Sequence, residues 1–303
     1  MIDPSRPILC LGEAIVDLIC ERNLGPEESP ETLVPHHGGA LPNVAAAVVR
    51  GGARAALIGG VGSDHWGQWL ISGLEAEGVA TDWIAILEQT RTPIAIALFD
   101  PSGEPSFQIY GEHIGPTMAA TYVFLEDAIA KGQALVVGSN TMVGETEREV
   151  TRRALSLARE AAVPVLLDPN HRPTRWQDEA TAIEFSLELA RQTTVLKCNR
   201  DEATKLTGEG SAINAARVLA GLGPRLVVIT DREGEIVTAG EAEARWMPQQ
   251  VEVVSGLGAG DAFMGSLAAG LAEIGWDLSR VAEVLPRAAA DATARCLHWG
   301  ARP

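Results

Sequence analysis

The sequence predicts an α/β fold in which a mostly parallel sheet is covered by helices and carries a small β lid. Three observations predict it. Short apolar runs alternate along the chain with longer stretches of helical apolar spacing. Two segments, about 17–37 and 92–112, break that alternation with turn-rich or alternating sequence and no helix signal. No low-complexity linker or fixed-period repeat divides the 303 residues. One domain over 1–303, large enough to bury a substantial core, is therefore expected rather than two equal ones. A lid hinged on such a core would let a cleft close and exclude water.

The first apolar run, Ile8 to Ile19, reads as a strand with Gly12, Glu13 and Asp17 at its end. In open α/β sheets ligands bind outside the carboxyl ends of strands. A carboxylate there accepts hydrogen bonds from neighbouring sugar hydroxyls, although Asp17 reads equally as a polar residue on the exposed face of a lid strand. Gly38 and Gly39 form a turn that admits a ligand close to the backbone, followed by Asn43 at a helix start. Ordinary N-capping by Asn43 is the competing reading. His36 and His37 are adjacent, diverge on a strand, and read as lid surface.

Further strands are expected over Arg54–Gly59, Ala134–Gly138, Val163–Leu167, Thr194–Cys198 and Leu226–Thr230, with helices over Glu145–Ala162, Asp178–Arg191 and Ala212–Leu222. After Leu167 comes Asp168-Pro169-Asn170-His171-Arg172-Pro173, whose prolines hold the loop extended. Arg172 could fork onto a sugar oxygen or a phosphate there, or be a surface arginine in a turn. After Cys198, Asn199 and Glu202 have the spacing of a capping box. The functional alternative is that Glu202 holds a hydrated Mg²⁺ beside nucleotide phosphates.

The most informative stretch is Gly256 to Phe263, GLGAGDAF. It lies between Val251–Val254, which reads as a buried strand, and Ala262–Ile274, which has helical spacing. Gly258, Ala259 and Gly260 leave backbone N–H groups open to an anion at a helix start. Asp261 at the edge of that cradle makes sense as the base that takes a proton from an attacking hydroxyl. A tight turn with an acid favoured by the helix dipole would read the same way. A dinucleotide fingerprint would need glycine where Asp261 stands, and none of Lys131, Lys197 and Lys205 follows a glycine as a Walker A loop requires. No zinc-ligand spacing and no G-x-S-x-G elbow occurs.

Composition narrows the partners. A net charge of −16, from 40 acids against 24 Lys and Arg, argues against nucleic acid or an anionic membrane as partner. Cys10, Cys20, Cys198 and Cys296 lack C-x-x-C spacing and read as free thiols in a reducing, cytoplasmic setting. The N-terminal apolar run contains Glu13 and Asp17 and lacks signal-peptide features, and no apolar stretch reaches transmembrane length.

In order, GEAIVD, GGALPN, GGVGSDHWG, DPNHR with Trp176, KCNRDE and GAGDAF resemble the ribokinase-like, PfkB-type carbohydrate kinases over nearly the whole chain. The DPN-x-R loop with its tryptophan is similar to the fructokinase and 2-keto-3-deoxygluconate kinase branch. The resemblance implies a ribokinase-like, Rossmann-type core with a β lid, ATP and Mg²⁺ as the donor system, and a homodimer formed through the lids. It makes Asp261 the base and the amides of Gly258, Ala259 and Gly260 the hole for the transferring phosphoryl. Asp17, Gly38, Gly39, Asn43, Arg172 and Tyr110 fall to the sugar, Asn199, Thr230 and Gly234 to the nucleotide with Gly258 and Gly260, and Glu202 to the metal.

Three departures stand out. Ser255-Gly256-Leu257 replaces the Asp-Thr-Thr that relatives commonly carry before GAGD, which puts K⁺ activation in doubt. The nucleotide loop Thr230-Asp231-Arg232-Glu233-Gly234 lacks its first glycine, so Arg232 is a candidate replacement contact. The sequence stops at Pro303, soon after Gly300-Ala301, where relatives usually continue, so the adenine-side wall is expected to be thin or supplied by another part of the protein. The leading expectation is an ATP-dependent kinase for a primary hydroxyl of a small sugar, with fructose first. Glu112, after Tyr110 and Gly111, speaks against a carboxylate substrate, although Arg172 could still receive one. Keto-deoxygluconate, ribose and nucleoside kinases are alternatives, as is a sugar-sensing protein without catalysis.

Overall fold

The computed structural model describes residues 3–231, 234–248 and 251–302. Its strands in chain order are β1 (Ile8–Leu11), β2 (Ile15–Asn23), β3 (Val34–Gly38), β4 (Ala55–Gly62), β5 (Ala80–Leu87), β6 (Ile94–Phe99), β7 (Pro105–Tyr110), β8 (Ala134–Gly138), β9 (Val165–Asp168), β10 (Val195–Asn199), β11 (Leu226–Thr230), β12 (Ile236–Gly240) and β13 (Arg245–Trp246). Among the described residues, nine strands form one sheet in the order β13-β12-β11-β10-β9-β8-β1-β4-β5, and four form a second, β3-β2-β6-β7. From β5 to β11 neighbours in the large sheet are parallel; β12 and β13 are added antiparallel.

Parallel neighbours require long crossovers, and helices supply them on both faces. The alternation of side chains along β1 assigns the two cores. Ile8 and Cys10 pack with Leu267, Leu271 and Leu285 on one face, while Leu9 and Leu11 pack with Leu125, Val150 and Leu155 on the other. Leu267 is fully buried, so Leu267→Ala would cost about 2–5 kcal/mol in lost transfer energy and cavity formation.

Ala134–Gly138 and Leu226–Thr230 form as expected, and the helices Glu145–Glu160, Glu179–Ala190 and Ala212–Ala220 lie within their expected spans. The run Ile8–Ile19 is instead two strands in different sheets. The chain turns at Gly12, where a Cβ would stand 2.9 Å from Leu41 of the helix Ala40–Arg50. The run Val251–Val254 is not a buried strand: Val251, Val253 and Val254 are 38%, 57% and 45% exposed. It follows the edge strand β13 and pairs with no strand, and the N–H groups of Val254 and Ser255 bond to the Cys296 carbonyl at 2.8 and 3.2 Å. Apolar composition suited a strand, but a strand needs a ladder partner.

The segments expected to leave the core supply the four-stranded sheet. One face of it carries Ile19, Ala97, Phe99 and Phe107, which pack on Leu257, Trp299 and Ala301. His36 and His37 are not plain lid surface. Both are partly buried, His37 stacking on Trp69 with centroids 3.8 Å apart and His36 lying 2.8 Å from Glu21. The four cysteines are free thiols, with Cys296 alone partly exposed.

Candidate active site

Gly12 and Glu13, Asn140, Asp168, Asn199 and Thr230 all lie at or just beyond the carboxyl ends of parallel strands. Strand β1 sits between β8 and β4, so successive connections leave in opposite directions and open a crevice at this end.

Asp261 enters the crevice from the helix Ala259–Glu273, whose N-cap Gly258 adopts φ 78° and has no side-chain cap. Glycine is suited to that left-handed turn, and the backbone of Ala301 packs where a Gly258 Cβ would be. The Ala259 N–H turns back on the Gly256 carbonyl at 3.3 Å, leaving Gly260 and Asp261 to present the first-turn N–H groups. Asp261 is buried, and its carboxylate accepts from Asn43 Nδ2 at 3.0 Å and Asn170 Nδ2 at 3.2 Å. Burial raises its pKa to about 6, against the opposing effects of the Asn43 hydrogen bond and Arg172.

Asn43 is therefore not the N-cap, a place taken by Gly39; it orients Asp261, and among the described residues its buried Oδ1 has no hydrogen-bond partner. The helices carrying Asn43 and Asp261 cross closely because residue 265 is glycine: a Cβ there would stand 2.6 Å from the Val44 carbonyl. Packing in the core thus sets a distance in the crevice. Asn170, absent from the expected site set, adopts φ 46°, which asparagine tolerates better than most residues. The Pro-Asn pair in the DPNHR loop was the signal for it.

Asp17 is buried rather than on an exposed strand face, and among the described residues its carboxylate receives no hydrogen bond. Burial raises its pKa to about 7; Arg172 and Arg302 pull it down and Asp261 pushes it up. Gly38 pairs with Ile15 beside it, and a Gly38 Cβ would collide with the Asp17 carboxylate. A Gly39 Cβ would strike the Glu13 carbonyl, so both glycines are required by close approach. The Arg172 guanidinium lies over the Phe107 ring at 5.4 Å and is within electrostatic reach of Asp17 and Asp261.

Tyr110 is not brought into this group. It pairs with Ile94, one position out of phase with the row Asp17–Ala95–Ile109, so it faces the other side of the sheet and is 62% exposed. Glu112 is likewise turned to solvent, with a side chain 83% exposed, and so carries no argument about substrate charge. Glu13 is a further buried acid at the crevice, held protonated to higher pH by burial against the pull of Arg175.

Asn199 and Glu202 form a full capping box for the helix Arg200–Thr207, and Glu202 also accepts from the His171 N–H at 2.8 Å. Glu202 thereby ties the DPNHR loop to β10. Thr230 pairs with Asn199 at the adjacent strand end, and Gly234, at φ 90°, donates its N–H to the Asp231 carbonyl. Arg232 lies outside the described residues. Lys197 Nζ meets Asp168 Oδ2 at 2.7 Å, with both side chains buried. Among the described residues, no group of three or more His, Cys, Asp or Glu could hold a bare metal ion. Each Glu202 oxygen accepts one N–H and keeps a second lone pair, so the residues fit a hydrated cation bound through its waters.

An uncapped helix start beside a buried acid, at the carboxyl ends of a parallel sheet, marks a small-molecule phosphotransferase. The chain belongs to the pfkB family of carbohydrate kinases, which it matches over residues 5–301. It is 31% identical to a fructokinase of Salmonella typhimurium over 89% of this chain and 86% of that one. Among solved structures it is similar to a fructokinase of Vibrio cholerae O395 with fructose, ADP and calcium bound, at 26% identity and TM-score 0.83, covering 99% and 95% of the two chains. A fructokinase of Xylella fastidiosa with bound ATP gives 26% identity, TM-score 0.83 and coverage of 98% and 94%. The chain is a sugar kinase, an enzyme that phosphorylates an alcohol group.

Proposed function

We propose that the protein is an ATP-dependent fructokinase. The observation that carries this reading is Asp17, a buried carboxylate without a hydrogen bond among the described residues, in electrostatic reach of the hydrogen-bonded Asp261. A sugar supplies the hydroxyl donors Asp17 lacks, and one further hydroxyl reaches Asp261. The similarity to fructokinases favours fructose over other sugars.

In the proposed step Asp261 accepts the proton of the sugar's primary hydroxyl as that oxygen bonds to the γ-phosphorus of ATP. The bond from phosphorus to the β,γ-bridging oxygen breaks, and its electron pair leaves with ADP. Asn43 and Asn170 hold Asp261 in line, while the N–H groups of Gly260 and Asp261 stabilise charge on the phosphoryl oxygens, with Gly258 and Ala259 shaping the turn. Gly38 and Gly39 leave room for the sugar, and Arg172 covers it from the Phe107 side. Asn199, Thr230 and Gly234 would border the nucleotide, and Glu202 would hold a hydrated Mg²⁺ through its waters. Bound Mg²⁺ supplies charge neutralisation on the phosphates.

Ser255 offers a neutral hydroxyl already engaged by the Leu257 N–H at 3.3 Å, so no K⁺ requirement belongs to this reading. The four-stranded sheet acts as a lid on a single domain. Its outer face, with half-buried Leu18, Ile94, Ile96 and Leu98 beside exposed Tyr110, supports a homodimer through the lid. Free thiols and an acidic chain support a cytoplasmic enzyme, and among the described residues no helix is long and apolar enough to cross a membrane.

The test is ADP release with Mg-ATP against fructose, 2-keto-3-deoxygluconate, ribose and adenosine. The reading expects the highest kcat/KM with fructose; preference for another acceptor overturns that assignment, and sugar binding without turnover would favour a sensor.

A further inference from the structure

Lys197 and Asp168 form an ion pair of 2.7 Å, with side chains 4% and 8% exposed. They meet because β9 and β10 run parallel and adjacent, bringing both residues toward the same end of the sheet. A buried pair of this kind adds little stability, because desolvating two charges offsets most of their attraction. Its placement is more telling. A Cβ on Gly260 would stand 3.0 Å from Lys197 Nζ and 4.0 Å from Asp168 Oδ2, so the pair lies against the backbone that opens the uncapped helix. A carboxylate beside an anion-binding turn repels a phosphate unless a cation stands nearer, and here the ammonium does. Of its three N–H donors, one engages Asp168 Oδ2.

We propose that Lys197 is a catalytic cation that shares its ammonium between Asp168 and the transferring phosphoryl group at Gly260. This rests on the kinase reading above. Asp168 holds the ammonium in place before nucleotide binds. As the phosphorus–oxygen bond to ADP breaks and the bond to the sugar oxygen forms, Lys197 keeps its protons and supplies charge, while the hydroxyl proton passes to Asp261. Asp168, Glu202 and Asp261, the acids that face Lys197, keep the ammonium above the usual lysine range despite burial, which alone would lower it. Gly260 matters twice in this arrangement: it supplies an N–H, and its missing side chain leaves the approach to the ammonium open.

The experiment compares Lys197→Met, Asp168→Asn and the double variant. For each, calorimetry measures affinity for a non-hydrolysable ATP analogue and for ADP, beside kcat, fructose KM and thermal unfolding. Lys197→Met and the double variant should lose about 10²-fold or more in kcat with fructose KM within about threefold, and should bind the analogue no better than ADP. Asp168→Asn should retain the preference for the analogue over ADP. The double variant removes both charges, so it leaves no bare buried ion and guards against a folding failure of Lys197→Met. Equal loss of the analogue preference in both single variants, or a folded double variant with kcat within threefold of the parent, would overturn the assignment. Absence of fructose turnover in the parent protein would remove the fructokinase reading, while the analogue-to-ADP ratio would still report on Lys197.

Discussion

Asp17→Asn should stabilise the unliganded protein while weakening sugar binding. The folded-state pKa of Asp17 is raised from 3.8 to about 7 by burial. A raised carboxyl means that the folded state holds a proton the unfolded state has released, so ionisation of Asp17 opposes folding. That cost is complete above pH 7, shrinks as pH falls toward 4, and is absent below the unfolded value. The shift corresponds to about 4 kcal/mol at pH 8, an upper limit because the replacing amide must also be solvated or hydrogen-bonded. Half of it would raise Tm by roughly 3 °C for a chain of this size. Differential scanning calorimetry of both proteins at pH 8 and pH 5 should show a gain that is largest at pH 8 and much reduced at pH 5. Loss of a charged acceptor should raise fructose KM by about 10–100-fold. A Tm loss at pH 8, or a difference independent of pH, would refute the reasoning.

The pH profile of kcat/KM should fall with acid, because catalysis needs Asp17 and Asp261 ionised, with pKa values about 7 and about 6. Asp261 pushes the Asp17 value up, and with these two values a drop of roughly 10³-fold from pH 8 to pH 5 is expected, with the slope steepening below pH 6. Gly265→Ala should cost about 1–3 kcal/mol in stability and lower kcat, since its Cβ would press on the Val44 carbonyl and move Asn43 from Asp261; a crystal structure and turnover assay of the variant check both. Ile96→Asp, on the outer face of the lid, should shift the protein from dimer to monomer in analytical ultracentrifugation. An unchanged sedimentation profile would count against the lid dimer.

The large sheet was legible in the sequence because its strands are buried on both faces and read as continuous apolar runs, β8 and β11 most clearly. Where neighbours rather than composition decide, the reading failed. Ile8–Ile19 looks continuous until Leu41 packs into Gly12, and Val251–Val254 looks buried although among the described residues no strand pairs with it. The site divides similarly. Asp17, Gly38, Gly39, Asp261 and the helix start are recognisable from glycine and acid spacing. Asn170 and Lys197 were not singled out, because their importance arises from contacts across 91 and 29 residues of sequence, to Asp261 and Asp168. Tyr110, given to the sugar by the family resemblance, stands one residue of strand phase from the row of Asp17, and that single step places it on the opposite face. Glu202 shows that a capping role does not use up a carboxylate: it completes the capping box, and each oxygen accepts one N–H and keeps a second lone pair.

The central claim, phosphoryl transfer to fructose with Asp261 as base, is tested most directly by one comparison. ADP release with Mg-ATP and fructose at pH 8 is measured for the parent protein and Asp261→Asn, with fructose affinity of each taken by calorimetry. The account predicts turnover in the parent and a loss of about 10²-fold or more in the variant with fructose still bound. Near-parent turnover in Asp261→Asn would contradict it.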